Sequence, residues 1–424
     1  MTIVTHRGLA PARQVLDNGT VVIVKESHAT PAVTMSAAIQ AGSIYESDGQ
    51  LGLAHFLSRV IDRGTMNRSA DQIAETLDFR GVTVSIHTTR HVQIVSCTCL
   101  VEDFVTILEL LGEIVTVPSM PVEEVDKRRV EVVTAIRQDE DSPAVVAVER
   151  LYSLLYSDGH PYGRPSKGTV ETVERIDRHA LRTFHGARFA PSVLSLVIVG
   201  DVTSGQAVDA AEKVFGAWRA APPDRVMLAS PSTNAARRQS VITMMNKSQA
   251  DIAYGFTTIK RSDPRYDAFT LMNNALGQYS LGGRLGESIR ERQGMAYYVF
   301  SSFDGTVIES PLTVRAGVNP ANVERTIASI DEEIARIAAE GITADELADC
   351  KHFLIGSMPR MLETNAAIAR FLQTAEFFGL GPDYDLRLPA LLEAVSLEQV
   401  NAAASTLSPD LAAVAVAGPY RSPA

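Results

Sequence analysis

The chain has 424 residues, 46% of them hydrophobic and 21% charged, with a formal net charge of -11 at pH 7. That length exceeds what one core usually organises and predicts two domains, and the composition is that of a globular chain rather than a disordered one. The negative charge repels phosphate backbones and anionic lipid, which excludes nucleic acid and membrane surfaces and leaves proteins or peptides as partners.

The first residues, MTIVTHRGLAPARQ, contain no apolar leader core, and apolar runs such as Val193 to Val199 fall far short of the roughly 20 residues of a membrane span. The expectation is a cytoplasmic chain. Thr20 to Glu26 and Pro31 to Gly42 alternate as strands, the second turning Val33, Met35, Ala37 and Ile39 to one face. Gly52 to Arg59, GLAHFLSR, reads as an apolar helix carrying one histidine, His55. Val82 to Val101 forms a further pair of strands, in which Cys97 and Cys99 share a face as small core hydrophobes. With Cys350 they make an odd count of three, which suits a reducing compartment better than a disulfide framework. Val101 to Val117 and Pro121 to Ser157 have helical spacing, so strands precede helices and an antiparallel sheet with helices on one side is predicted.

Other chemistry is scarce. His87 and His91 are four residues apart, but they follow Val82, Val84 and Ile86, a strand pattern. Four residues of strand span about 13 Å, too far for both to hold one ion. His160, in DGHPYGRP, reads as a turn residue. Gly163 to Thr169 has two glycines at phosphate-loop spacing without the lysine that must follow, and no Gly-x-Ser-x-Gly is present. Nothing around Cys97 or Cys99 favours a thiolate.

Periodicity lapses at 220–238, rich in proline and small polar residues, and the segments on either side resemble one another. Val173 to Asp201 is a helix, a turn with Pro191 and a hydrophobic strand ending at Gly200; Leu392 to Pro419 repeats that order with Pro409 and Gly418. A duplicated α+β domain follows, with domains 1–219 and 239–424 joined by the linker 220–238.

GLAHFLSR, continued by VIDRGT, closely resembles the signature of the insulinase and pitrilysin zinc metallopeptidases, His-x-x-Glu-His within a Gly-x-Ala-His-Phe-Leu context. Lys127 to Pro143 is similar to the family's third-ligand helix, usually built around Glu-Glu-Ile, and Asp158 to Thr169 to the loop after it. Carried over by position, His55 matches the first ligand, but Ser58 stands for the catalytic glutamate and Arg59 for the second histidine. Thr134 and Ala135 replace the Glu-Glu pair, so the third ligand is missing as well. A guanidinium neither binds zinc nor tolerates it nearby. His55 is then expected to be a partly buried polar residue with a hydrogen-bond partner.

Leu281 to Phe303 resembles the family's C-terminal-half signature, in which an arginine and a tyrosine seven residues later reach the substrate bound at the zinc of the other half. The matching residues are Arg290 and Tyr297. From the residues alone, Glu287 to Arg292 is an exposed helix end stopped by Gly294, with Arg290 paired to Glu287 and Tyr297 filling an edge strand. The resemblance implies instead that the two hold a peptide carbonyl and steady the charge that develops on it.

The family likeness therefore implies one half of a clamshell: an α+β chain of two homologous domains acting as the non-catalytic subunit of a heterodimeric zinc metalloendopeptidase. It would be inactive alone and hold no cofactor, with zinc in a homologous partner that keeps the intact motif. Leu276 to Gly286 is too short for the long glycine-rich loop of mitochondrial processing peptidase, which favours the two-chain bacterial type. Substrates would be unfolded peptides, added as an extra strand near Ala38 to Ile44. The alternatives are a structural subunit like those of respiratory complexes, or a homodimeric peptide-binding chamber.

Overall fold

The structure, a computed structural model, describes residues 8–157, 159–232, 235–278 and 283–421. Residues 279–282, within the short glycine-rich stretch and at the start of the Arg290 segment, and Asp158 lie outside the described residues.

The first six strands are β1 (Ala12–Val15), β2 (Val21–Glu26), β3 (Ala32–Ile39), β4 (Ser85–Thr88), β5 (Gln93–Leu100) and β6 (Leu194–Gly200). They form a sheet in the order β1-β2-β6-β3-β5-β4. The next five are β7 (Arg238–Thr243), β8 (Ala250–Thr257), β9 (Ala296–Phe303), β10 (Pro311–Val318) and β11 (Ala413–Gly418), ordered β7-β11-β8-β10-β9. Without β1 the two sheets have one topology, which supports a duplication.

The α+β class is as expected, with two refinements: each sheet is mixed rather than wholly antiparallel, and helices cover both of its faces rather than one side. β2 runs parallel to β6 and β7 parallel to β11, while the other pairs are antiparallel. A parallel neighbour requires a crossover of a dozen or more residues, and the helices between β5 and β6 supply it. Strands β6 and β11 are buried on both faces, as their uninterrupted apolar sequences require. Strand β3 is also buried on both faces but alternates in residue type, setting Val33, Met35, Ala37 and Ile39 into one helix-covered core. Its other face carries Thr34, whose Oγ1 lies 2.8 Å from that of Thr98 on β5.

The chain divides into two compact units, and they are not continuous halves. The first comprises residues up to Ile136, Pro165–Val226 and Met358–Arg387; the second comprises Arg137–Arg164, Met227–Ser357 and everything from Leu388. The expected domains 1–219 and 239–424 therefore differ from the units by two reciprocally exchanged segments.

The reason is the second face of each sheet. In the first unit, Ile23, Val197 and Val199 are covered by Ile368, Ala369 and Leu372 of helix Asn365–Phe377. On the same helix, Gln373 Nε2 donates to the carbonyls of Ser36 and Ser195 at 2.8 and 3.0 Å, and its Oε1 accepts from Ser195 Oγ at 2.7 Å. In the second unit, helix Pro143–Leu155 does the same for β8 and β11. There a Cβ on Gly255 would come within 3.3 Å of Leu151 Cδ2.

One expectation is corrected. Ala38 to Ile44 is not a sheet edge, because β3 lies between β5 and β6 and Ala38 pairs with both Ile94 and Ser195. Past the strand, the N–H groups of Gly42, Ser43 and Ile44 donate to the carbonyls of His91, Thr89 and Arg90 at 3.1, 3.2 and 3.0 Å. No backbone is left there for an added strand. The outer strands are β1 and β4 in one sheet and β7 and β9 in the other. Among the described residues, no helix is long and apolar enough to cross a membrane.

Candidate functional site

The helix that bears the family motif, Leu53–Val60, starts at a constrained point. Gly52 adopts φ +88°, and a Cβ there would run into the Lys167 carbonyl oxygen. Gly168, at φ +76°, meets Leu51 in the same way, so two glycines let the loop before helix Val170–Arg175 lie directly on the start of the motif helix. Thr172 Oγ1 donates to the Leu51 carbonyl at 2.8 Å and completes the junction.

The buried Glu46 carboxylate accepts from Gly52 N at 2.9 Å and Ala54 N at 2.7 Å, satisfying amides that a helix N-terminus leaves open. Sequence reasoning passed over Glu46. Its only signal is an acid six residues ahead of a glycine-started helix.

Leu53, Ala54, Phe56, Leu57 and Val60 are buried, which leaves His55 and Arg59, four apart, on the remaining face. Ser58 is buried and spends its hydroxyl on the His55 carbonyl at 2.6 Å. On helix Val122–Glu140, Thr134 Oγ1 bonds the Val130 carbonyl at 2.7 Å, and the half-buried Ala135 offers no donor atom.

Around Arg59, guanidinium groups and carboxylates act on one another. Glu131 is held below the usual carboxylate range by hydrogen bonds from Arg128, at 2.5 and 2.7 Å, with Arg59 and Arg63 adding to the effect. Burial pushes the Asp62 carboxyl up, partly offset by Arg63, Arg128 and Arg59. These residues do not fit zinc. One imidazole, a hydroxyl turned into its own helix, a guanidinium and a methyl group make no ligand set, and the nearby arginines repel a cation. Among the described residues, no three His, Cys, Asp or Glu side chains converge on one point.

In the second unit, Arg290 lies in a π-helical turn, Gly286–Arg292. Gly294, at φ +61°, ends it, and its N–H donates to the Arg290 carbonyl at 3.1 Å. Met295 N donates to the Ile289 carbonyl at 3.1 Å, tying the start of β9 to the same turn. The Arg290 side chain is 42% exposed and stands 3.5 Å from Glu291, while Glu287 is 3.8 Å from Arg292 instead. The pairing of Arg290 with Glu287 read from the residues alone is thus replaced.

Tyr297 is on an edge strand, as read, but it does not fill a regular position. Opposite it, Val318 pairs with Ala296 and Gly317 with Tyr298, leaving Tyr297 as the extra residue of a β-bulge. Regular alternation would send Tyr297 to the core with Val299 and Phe303; the bulge puts Ala296 there and leaves Tyr297 65% exposed. Arg284, near the start of this segment, is held by Glu346 at 2.7 and 2.8 Å, which brings the Glu346 carboxyl down to about 2.

The remaining candidates are structural. His87 lies on β4, whereas His91 lies in the turn after it, with its ring centroid 5.5 Å from that of Phe377. His160 caps a turn, Nδ1 accepting from Tyr162 N at 3.1 Å and Nε2 donating to the Ala229 carbonyl at 3.1 Å. Cys97, Cys99 and Cys350 are buried, and burial pushes each thiol up to about 12.

The fold and its sites thus define a protein of the zinc-metallopeptidase type, with His55, Ser58 and Arg59 along the motif helix. Residues 21–169 match the model described as insulinase (peptidase family M16), and residues 175–354 that described as the peptidase M16 inactive domain. The chain belongs to peptidase family M16.

It is 28% identical to an uncharacterized zinc protease of Mycobacterium leprae, covering 98% of this chain and 93% of the relative. It is 26% identical to the uncharacterized zinc protease YmxG of Bacillus subtilis, covering 96% and 98%. Among solved structures, the peptidase M16 inactive domain from Pseudomonas fluorescens superposes with a TM-score of 0.91 at 24% identity, covering 98% of this chain and 99% of that one. A protease from Helicobacter pylori superposes at 0.85 with 19% identity, covering 96% and 99%. These two likenesses speak for the fold.

Proposed function

We propose that this chain is the non-catalytic, substrate-gripping subunit of a two-chain M16 metalloendopeptidase that works in the cytoplasm. A homologous partner with an intact His-x-x-Glu-His motif holds the zinc, and this chain supplies Arg290 and Tyr297 in trans. The observation that carries the reading is the bulge at Tyr297. It turns a tyrosine that regular pairing would bury out of an edge strand, on a turn shared with a solvent-facing arginine.

A guanidinium and a phenol so presented are hydrogen-bond donors suited to a peptide carbonyl acquiring negative charge. Neither activates water, which suits the absence of a ligand set around His55. Three buried free thiols suit a reducing compartment. For a peptide added as a strand, β4, outermost in its sheet, has the free backbone edge that β3 lacks.

The test is reconstitution with the catalytic subunit on an unstructured, internally quenched peptide. The chain alone should carry no stoichiometric zinc and cleave nothing. In the complex, Arg290→Ala and Tyr297→Phe should each lower turnover by about a hundredfold, the scale of losing one oxyanion donor, without preventing assembly. One zinc per isolated chain, or unchanged turnover in both variants, would overturn the proposal.

A further inference from the structure

The bulge that exposes Tyr297 needs something to hold it, because an edge strand has a neighbour on one side only and an unpaired residue in it is free to slip back into register. The neighbouring residues suggest how it is held. Tyr298, Gly317 and Asp251 lie in one row across β9, β10 and β8, since Gly317 pairs with both of the others. A side chain at Gly317 would collide with the Tyr298 ring, which therefore lies over the bare glycine backbone. Across that gap the Tyr298 phenol donates to Asp251 Oδ1.

Asp251 is 3% exposed, and its two oxygens also accept from Gln249 Nε2 at 3.2 and 3.3 Å. It pairs with Ala417 of β11 on its other side, so the phenol reaches from the sheet edge to an anchor deep within the sheet. Burial and the adjacent carboxylate push the Tyr298 phenol well above its usual range, which keeps it a proton donor.

We infer that Tyr298 and Asp251 are positioning residues for Tyr297: their hydrogen bond, drawn over Gly317, pins the residue after the bulge and so keeps Tyr297 turned outward. This rests on the reading of Tyr297 as a substrate-binding group. The bond fixes the last regular pair of β9 against β10, and the extra residue must then leave the ladder rather than rejoin it.

The experiment has two arms. On the isolated chain, nitration of Tyr297 by tetranitromethane, followed by peptide mass spectrometry, reads its exposure. Tyr298→Phe should slow it several-fold, and Asp251→Asn, which keeps a carbonyl acceptor, should restore most of the rate relative to Asp251→Ala. In the reconstituted complex, Tyr298→Phe should lower kcat about tenfold with KM unchanged, as loss of one hydrogen bond allows. Added to Tyr297→Phe, it should lower kcat no further.

Unchanged nitration of Tyr297 in Tyr298→Phe, or effects of the two substitutions on kcat that multiply, would overturn the inference. If Tyr297→Phe alone leaves kcat at the wild-type value, the reading of Tyr297 as a substrate-binding group fails, and the nitration arm still decides whether the bulge is held as inferred.

Discussion

Replacing Glu46 tests how the motif helix is set. Glu46 is 6% exposed, and its carboxylate accepts from two amides, Gly52 N at 2.9 Å and Ala54 N at 2.7 Å. Hydrogen bonds to a charged acceptor contribute about 1.5–3 kcal/mol each, and a buried N–H left without a partner costs about 1–3 kcal/mol. The two amides share one carboxylate, so the contributions do not simply add, and Glu46→Ala should destabilise the first unit by about 3 kcal/mol. Glu46→Gln, which keeps one oxygen as acceptor, should cost about half as much.

The chain has one tryptophan, Trp218, packed against the core of that unit, so urea unfolding followed by its fluorescence reports on the relevant half. A loss below about 0.5 kcal/mol in Glu46→Ala would refute the claim that this carboxylate anchors the helix.

The combined substitution Ser58→Glu with Arg59→His should yield neither zinc binding nor cleavage, because Ala135 still denies the third ligand; zinc-dependent cleavage by that variant would place the third ligand elsewhere. Burial brings both His91 and His185 down to about 4, and the His185 Nε2 donates to the Val115 carbonyl at 2.9 Å. Below a pH of about 6.5 the unfolded chain takes up protons on these imidazoles that the folded chain refuses until pH nears 4, so stability falls as pH drops through that window. Each imidazole accounts for up to about 1.4 kcal/mol per pH unit, and His185→Gln should remove roughly half the combined slope in Trp218-monitored unfolding at pH 7, 5.5 and 4.5. An unaltered slope would show that His185 accepts its proton in the folded state.

Side-chain identity is legible without any fold: a guanidinium stands at position 59 and a methyl group at position 135. The alternation of Val33, Met35, Ala37 and Ile39 likewise marks a strand face wherever that strand lies. The glycine stop at 294 is equally local, since a left-handed φ of +61° is what that residue type admits most easily. The same reasoning read Ala38 to Ile44 as a sheet edge, where the strand is interior. Which strands flank β3 depends on Gln93–Leu100 and Leu194–Gly200, segments some 55 and 155 positions downstream that no local window contains.

Local residue chemistry by itself therefore determined the side chains along the motif helix, the periodic elements and their repetition in two halves. The tertiary structure alone decided the exchange of helices 143–155 and 365–377, because an apolar second sheet face takes whichever helix the chain delivers to it. It alone decided the outward turn of Tyr297, because a bulge exists only relative to the partner strand that it fails to match. Pairing register is a relation between distant segments, and it becomes definite only when the hydrogen bonds across the sheet are made.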